Sequence, residues 1–260
     1  MDYPLIGPED PAPYSVYNER GAARVLIVCD HASPAIPKGM NQLGLADWVL
    51  ERHVAFDIGA ASVARALADG LDAPAVLSGY SRLIVDPNRP LDNATAFIKV
   101  SDGIAIPGNL QLSEHEKWLR IKSFFEPYHS AIEDRLDTYR SRGVTPAIIA
   151  VHSCTPVFDR IVPRWHIGVM WDKDPRIAVP LIQELNEADG VCFGENEPYS
   201  GRDPHDYTLD HHAEAAGLPY VGLEVRQDLV NTDDGARHWA GVLTRALTGI
   251  LKDDGLYRPL

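Results

Sequence analysis

Only three cysteines, Cys29, Cys154 and Cys192, occur in 260 residues. That is too few for a disulfide framework, so ordinary core packing has to hold the fold. An apolar run of the roughly 18 residues that a helix needs to cross a bilayer is also lacking, and no membrane span is expected. Positive charge is scarce. Lys and Arg number 24 against 37 Asp and Glu, a formal net charge of -13. The basic footprint of a nucleic-acid binder is therefore missing. Internal repeats and low-complexity tracts are absent as well. The opening "MDYPLIGPEDPAPYSVYNERGAAR" is acidic and rich in proline, without the basic-then-apolar order of a secretory signal. We read residues 1–20 as an extended arm over a domain edge, and cytoplasm is the expected compartment.

What is present is a series of short apolar runs bounded by turn residues. The strand candidates are 23–29, 74–78, 81–86, 146–153, 166–171 and 220–226. Near-continuous apolarity fits strands covered on both faces. Helical spacing runs through 45–70, 113–142, 176–188 and 235–251, and Ser113 with Glu116 has the spacing of a capping box. Alternating strands and helices predict an α/β fold, a three-layer arrangement of a mixed, mostly parallel sheet with helices on both faces. No shift of composition marks a boundary, so residues 1–260 are read as one domain.

In open α/β sheets, ligands bind beyond the carboxyl ends of strands. Several apolar runs here end in polar residues: Asp30-His31, Asp86 with Asn88-Arg89, His152-Ser153, and Glu224 with Arg226. Imidazole is the commonest metal ligand among side chains, which marks His31 and His152. A third ligand is offered by "RHVAFDIGA", where His53 and Asp57 stand one helical turn apart. Asp57 completes a two-histidine, one-carboxylate site. His53 is the alternative ligand, or a residue that orients one. Glu224, inside an apolar run, is a general base beside a metal or a structural partner of Arg226. Asn88 and Arg89 form either a clamp for a substrate carboxylate or a loop salt bridge. The segment "NEPYSG" followed by "TLDHHAEAAGLP" is a lid over the site or a plain surface loop. Cys154 is read as a small buried hydrophobe, since no group is evident to orient a nucleophilic Cys–His pair.

Taken together, "VCDHAS", "HVAFDIGA", "SRLIVDPNRP", "VHSCTP", "NEPYSG" and "LEVRQDL" resemble the N-formylglutamate amidohydrolase family, from about Pro11 to Leu247. More remotely, "VHS", "NR" and "LEVR" resemble elements of zinc carboxypeptidases and of the succinylglutamate desuccinylase and aspartoacylase group. The resemblance implies a zinc-carboxypeptidase-like fold. It also implies zinc-dependent hydrolysis of the N-acyl amide of an acidic amino acid, with N-formyl-L-glutamate as the expected small anionic substrate. On that basis His31 and His152 fall on metal-ligand positions, Glu224 on the base, and Asn88 and Arg89 on the carboxylate-binding positions. Arg82, Ser200 and His212 are added as further substrate-binding candidates. Two departures stand out. Zinc carboxypeptidases carry a glutamate three residues after the first histidine, where this chain has Pro34; the second ligand is therefore assigned to Asp57. The deformylases of histidine degradation look different around "HVAFD", with Asp and His interchanged. The rival expectations are a deacylase or carboxypeptidase for another N-acyl amino acid or small peptide, and a metal-free binding module on the same fold.

Overall fold

Odd and even residues of the central strands sort onto opposite faces, as the two-residue period of a strand requires. Val25, Ile27 and Cys29 pack in one cluster while Leu26 and Val28 pack in another. The computed structural model describes residues 3–156, 164–202 and 206–258. Its strands are β1 (Tyr14–Tyr17), β2 (Val25–Cys29), β3 (Ala75–Ser78), β4 (Val100–Ser101), β5 (Ile104–Ala105), β6 (Ala147–Cys154), β7 (Ile167–Met170), β8 (Phe193–Glu195) and β9 (Tyr220–Arg226). Its helices are α1 (Asp47–Leu50), α2 (Ala60–Leu71), α3 (Glu114–Arg120), α4 (Glu126–Ser141), α5 (Pro175–Glu187), α6 (Tyr207–His212), α7 (Gln227–Val230) and α8 (Asp233–Ile250).

Seven strands form one sheet in the order β1-β3-β2-β6-β9-β7-β8. The β1–β3 and β7–β9 pairs are antiparallel and the others parallel, so the sheet is mixed and mostly parallel. One face is covered by α2, α5 and α8 through Val63, Leu67, Leu181, Trp239 and Leu243. The other is covered by α4 and α6 through Tyr128, Ile132, Leu136 and Leu209. The fold class is the α/β architecture expected from the alternating pattern. Among the described residues, no helix is long and apolar enough to cross a membrane.

Three expected elements take another form. The run 81–86 is a series of turns, not a strand. β3, the strand just before it, already pairs with β1 and β2 and offers it no open edge. Side chains satisfy its carbonyls instead: Asn109 Nδ2 donates to Leu83 O at 2.8 Å and Arg120 Nη1 to Ile84 O at 2.8 Å. Its apolar residues join a separate cluster with Val54, Tyr80, Ile106 and Phe124. Asp86, Asn88 and Arg89 thus reach the site from a loop rather than from a strand end. The helix expected over 45–70 is broken between α1 and α2 by tight turns. Asp57 donates its N–H to His31 O at 2.9 Å, and Gly59 at φ 82 starts α2. The helix expected over 113–142 contains a π-helical turn at Ile121–Phe125, just before Pro127, whose ring leaves it no N–H to donate. The Ser113–Glu116 capping box is present. β1, β8 and α6 have no counterpart in the sequence reading. β1 is a four-residue antiparallel edge and β8 a three-residue one, too short for a clear alternation.

Candidate active site

A cavity of about 280 Å³ opens beyond the carboxyl ends of β2, β6 and β9. His31 lies two residues past β2, and His152 is near the end of β6. Glu224 of β9 stands opposite His152 on one side and Gly168 of β7 on the other. Gly168 is required there. A Cβ would sit 2.4 Å from the Glu197 carbonyl oxygen and 3.1 Å from Glu224 Cβ. Asp57 enters from the turn before α2, where its backbone bond to His31 fixes its place.

Asp57 joins the two histidines. Its Oδ2 is 2.9 Å from His152 Nδ1 and 3.4 Å from His31 Nδ1, while its Oδ1 accepts from Arg82 Nη2. The far nitrogen of each ring faces another carboxylate. His31 Nε2 lies 2.7 Å from Asp86 Oδ1, and His152 Nε2 lies 3.1 Å from Asp30 Oδ2. Asp30 and His31 are 0 % and 3 % exposed, so water cannot substitute for these partners. His31 Nδ1 is buried with no hydrogen-bond partner, an expensive arrangement unless a cation takes its lone pair. One atom each from His31, Asp57 and His152 lies within 4.8 Å of the others. Metal bonds of about 2.0–2.1 Å in a tetrahedral site space ligand atoms roughly 3.3 Å apart. The donor set and its spacing fit a metal ion held by His31 Nδ1, Asp57 Oδ2 and His152 Nδ1. Asp86 and Asp30 then fix the ring orientations, as carboxylates behind ligating histidines do.

Charge in the site is held against burial. Burial raises Asp57, but Arg82 and His31 outweigh it and keep the carboxyl well below its usual range. Burial raises Asp30, but the His152 ring beside it, with His31 and the Thr208 hydroxyl, outweighs that and lowers the carboxyl to about 2. Burial lowers His152, and the Asp30 and Asp57 carboxylates more than reverse that. Glu224 goes the other way. Burial pushes it up to about 8; His152 and Arg82 draw it down and Asp57 draws it up. Its Oε2 has no hydrogen-bond partner, and Arg226 bonds Asp228 at 2.7 Å. Cys154 also lines the cavity, its thiol pushed up by burial and therefore protonated.

Arg82, Asn88, Arg89, Ser200 and His53 line the same cavity. Asn88 Oδ1 accepts from Thr208 N at 3.0 Å, and Arg89 Nη1 donates to Asn88 O at 2.8 Å. His53 stands apart from the metal-ligand cluster, with Nε2 3.8 Å from Asp102 Oδ2 and its side chain one-third exposed. No helix carries His53 and Asp57, so the shared face expected for them does not exist. His212 is corrected outright as a cavity residue. It is buried behind the wall, with Nε2 2.9 Å from His129 Nδ1, and His129 Nε2 is 2.9 Å from Pro87 O. Sequence reasoning missed Asp206 and Met170 on the cavity wall; Tyr199 on the wall and Thr208 behind it fell within the segments read as a lid or a surface loop, without being singled out. Asp206 is raised above its usual range, chiefly by burial. A signal did exist for Asp30 and Asp86, each a carboxylate ending an apolar run. None existed for Thr208.

A structure of a gene product from Agrobacterium tumefaciens is 32% identical, with 95% of this chain and 98% of that one covered and a TM-score of 0.91. The N-formylglutamate amidohydrolase from Ralstonia eutropha JMP134 shares the fold, at 19% identity, coverage of 93% and 96%, and a TM-score of 0.62. A search of curated proteins finds no match. The family model described as N-formylglutamate amidohydrolase matches residues 23–231, a span that contains His31, Asp57, Asn88, Arg89, His152 and Glu224. The chain belongs to the N-formylglutamate amidohydrolase family.

Proposed function

We propose that the protein uses zinc to hydrolyse the N-acyl amide of an acidic amino acid, with N-formyl-L-glutamate giving formate and L-glutamate. The observation that carries this reading is the meeting of His31, Asp57 and His152 in a cavity that also holds Glu224, Arg82 and Arg89. Family membership supports the reaction class. Two imidazoles and a carboxylate suit zinc with a position left for water. Zinc bound there supplies a lowered water pKa and a polarised carbonyl.

The chain's own residues do the rest. Glu224 accepts the proton of the attacking water on its unpartnered carboxylate oxygen. The water oxygen bonds to the formyl carbon, the C–N bond breaks, and Glu224 returns a proton to the departing amine nitrogen. Arg82, beside Asp57, adds positive charge near the acyl oxygen as it becomes anionic. Asn88 and Arg89 hold the substrate carboxylate, which sets the scissile bond in place.

Formate release from N-formyl-L-glutamate, by zinc-loaded and metal-stripped protein, tests the reading. Zinc-dependent release is expected, with N-acetyl and N-succinyl amino acids as poorer substrates. Equal turnover by stripped protein would remove zinc from the mechanism. Hydrolysis confined to another acyl group would replace formyl as the substrate.

A further inference from the structure

Behind the two histidines runs a line of hydrogen bonds closed by one ion pair, in which only Asn88 also has a part in the reaction proposed above. Asp30 faces His152, and Asp86 faces His31. Thr208 of α6 lies between these two carboxylates. Its Oγ1 donates to Asp30 Oδ1 at 2.6 Å and its backbone N–H donates to Asn88 Oδ1 at 3.0 Å. Asn88 N–H in turn donates to Asp86 Oδ1 at 2.9 Å, the oxygen that meets His31 Nε2 at 2.7 Å. The order is therefore His152, Asp30, Thr208, Asn88, Asp86, His31, and Asp57 faces both histidines from the front, 2.9 Å from His152 Nδ1 and 3.4 Å from His31 Nδ1. Thr208 and Asp30 are both 0 % exposed, so no water can replace a lost link.

We propose that Thr208 is a positioning residue that sets the metal-binding face of His152 through Asp30, and ties it to the loop that presents Asn88. The inference rests on the metal-dependent reading above. Asp30 Oδ2 and His152 Nε2 are 3.1 Å apart but are not aligned as a hydrogen bond, so their mutual attraction alone does not orient the carboxylate. The short Thr208 bond fixes the rotation of the Asp30 carboxylate and keeps Oδ2 toward His152. A proton on His152 Nε2 then faces a carboxylate and leaves Nδ1 as the nitrogen with a free lone pair. Without the hydroxyl, Asp30 loses its fixed rotation and a buried carboxylate oxygen loses its partner.

The test separates the two arms of Thr208. Thr208→Val removes the hydroxyl, keeps the branched shape and leaves the backbone N–H on Asn88. Thr208→Ser restores the hydroxyl. Zinc affinity of metal-stripped protein is measured by competition with a chromogenic chelator, beside the melting temperature of the stripped form. Thr208→Val should weaken zinc binding roughly 10- to 100-fold, the range for loss of a group that orients a ligand. Thr208→Ser should stay close to wild type. At saturating zinc, KM for N-formyl-L-glutamate should be little changed in Thr208→Val, because the Asn88 contact remains. Should the valine variant not fold, Thr208→Ala is read the same way. Wild-type zinc affinity in a folded valine or alanine variant overturns the proposal, and so does equal loss in the serine variant. Zinc binding by the wild type without hydrolysis of any N-acyl amino acid overturns the proposed function and leaves the role of Thr208 standing.

Discussion

At the scale of single residues, Glu224 carries the sharpest expectation. Opposite His152 in the sheet, it has one carboxylate oxygen without a partner and a strong upward push from burial. A cation bound at His31, Asp57 and His152 would pull it back toward the charged form that a base needs. Glu224→Gln keeps the shape and should lower kcat by at least roughly 10²-fold with zinc content intact. Near-normal turnover would move the proton transfer to another group. A second expectation belongs to the buried pair behind the wall. His129 is lowered to about 3 and His212 to about 4, in both cases first by burial. The fold therefore holds both neutral, whereas the unfolded chain takes up their protons near pH 6.5. Stability is complete above that pH and is lost as pH falls, on the order of 2 kcal/mol for one such histidine by pH 5. Melting temperature should drop from pH 7 to pH 5 in the wild type. His129→Gln should melt lower at pH 7 but follow a flatter profile, and a parallel profile would place the sensitivity elsewhere. His31, His152 and Glu224 were legible because each interrupts or ends an apolar run, where a polar group needs a reason. Thr208, Asp206 and His129 were not. Their meaning lies in partners 178 or 83 positions distant, or across a cavity wall, and a one-dimensional pattern does not encode those distances.

Among elements, the sheet was legible and its exceptions are instructive. Strands such as β2 and β6 announce themselves because both faces are covered, which forces unbroken apolar runs. The run 81–86 has the same composition but finds no open edge on the neighbouring β3, and Asn109 and Arg120 complete its hydrogen bonds from far along the chain. The break between α1 and α2 matters more, since it carries Asp57. Gly59 makes that break possible. Its φ is +82, and a Cβ there would lie 2.2 Å from the Val230 carbonyl oxygen. Gly59→Ala combines backbone strain with a clash and should cost at least about 2 kcal/mol. That corresponds to a melting temperature lower by at least about 4 °C. Gly143, with φ +67 and nothing within 4 Å, is the control for backbone strain alone. Gly143→Ala should lose distinctly less in thermal unfolding. Equal losses would mean that α7 shifts to admit the methyl group, and that close packing against Val230 does not hold the Asp57 turn.

For the whole molecule, the question is how a chain with a formal net charge of -13 would capture the anionic substrate proposed for it. Long-range attraction has the wrong sign, so capture has to rest on cations inside the cavity. Arg82 is bonded to Asp57, and Arg89 also lines the cavity, beside Asn88 on the loop that follows Asp86. A guanidinium can meet a carboxylate with two parallel hydrogen bonds and so fix its orientation, which a lysine point charge cannot. Arg89→Lys should therefore lower kcat/KM for N-formyl-L-glutamate, and Arg89→Ala should lower it further. An N-formyl amine of similar size without a carboxylate should be a poor substrate for the wild type and little changed by either substitution. Salt provides an independent check. Between about 10 and 150 mM the screening length shrinks from roughly 30 to 8 Å. Repulsion from the distant surface is screened over that range, while a contact pair in the cavity is screened far less. The wild-type kcat/KM for the acidic substrate should then hold steady or rise with salt, and the loss in Arg89→Ala should be of similar size at both ends. Equal losses on both substrates would instead make Arg89 a support for the loop or the oxyanion. A steep fall with salt in the wild type would mean that recruitment acts at long range despite the net charge.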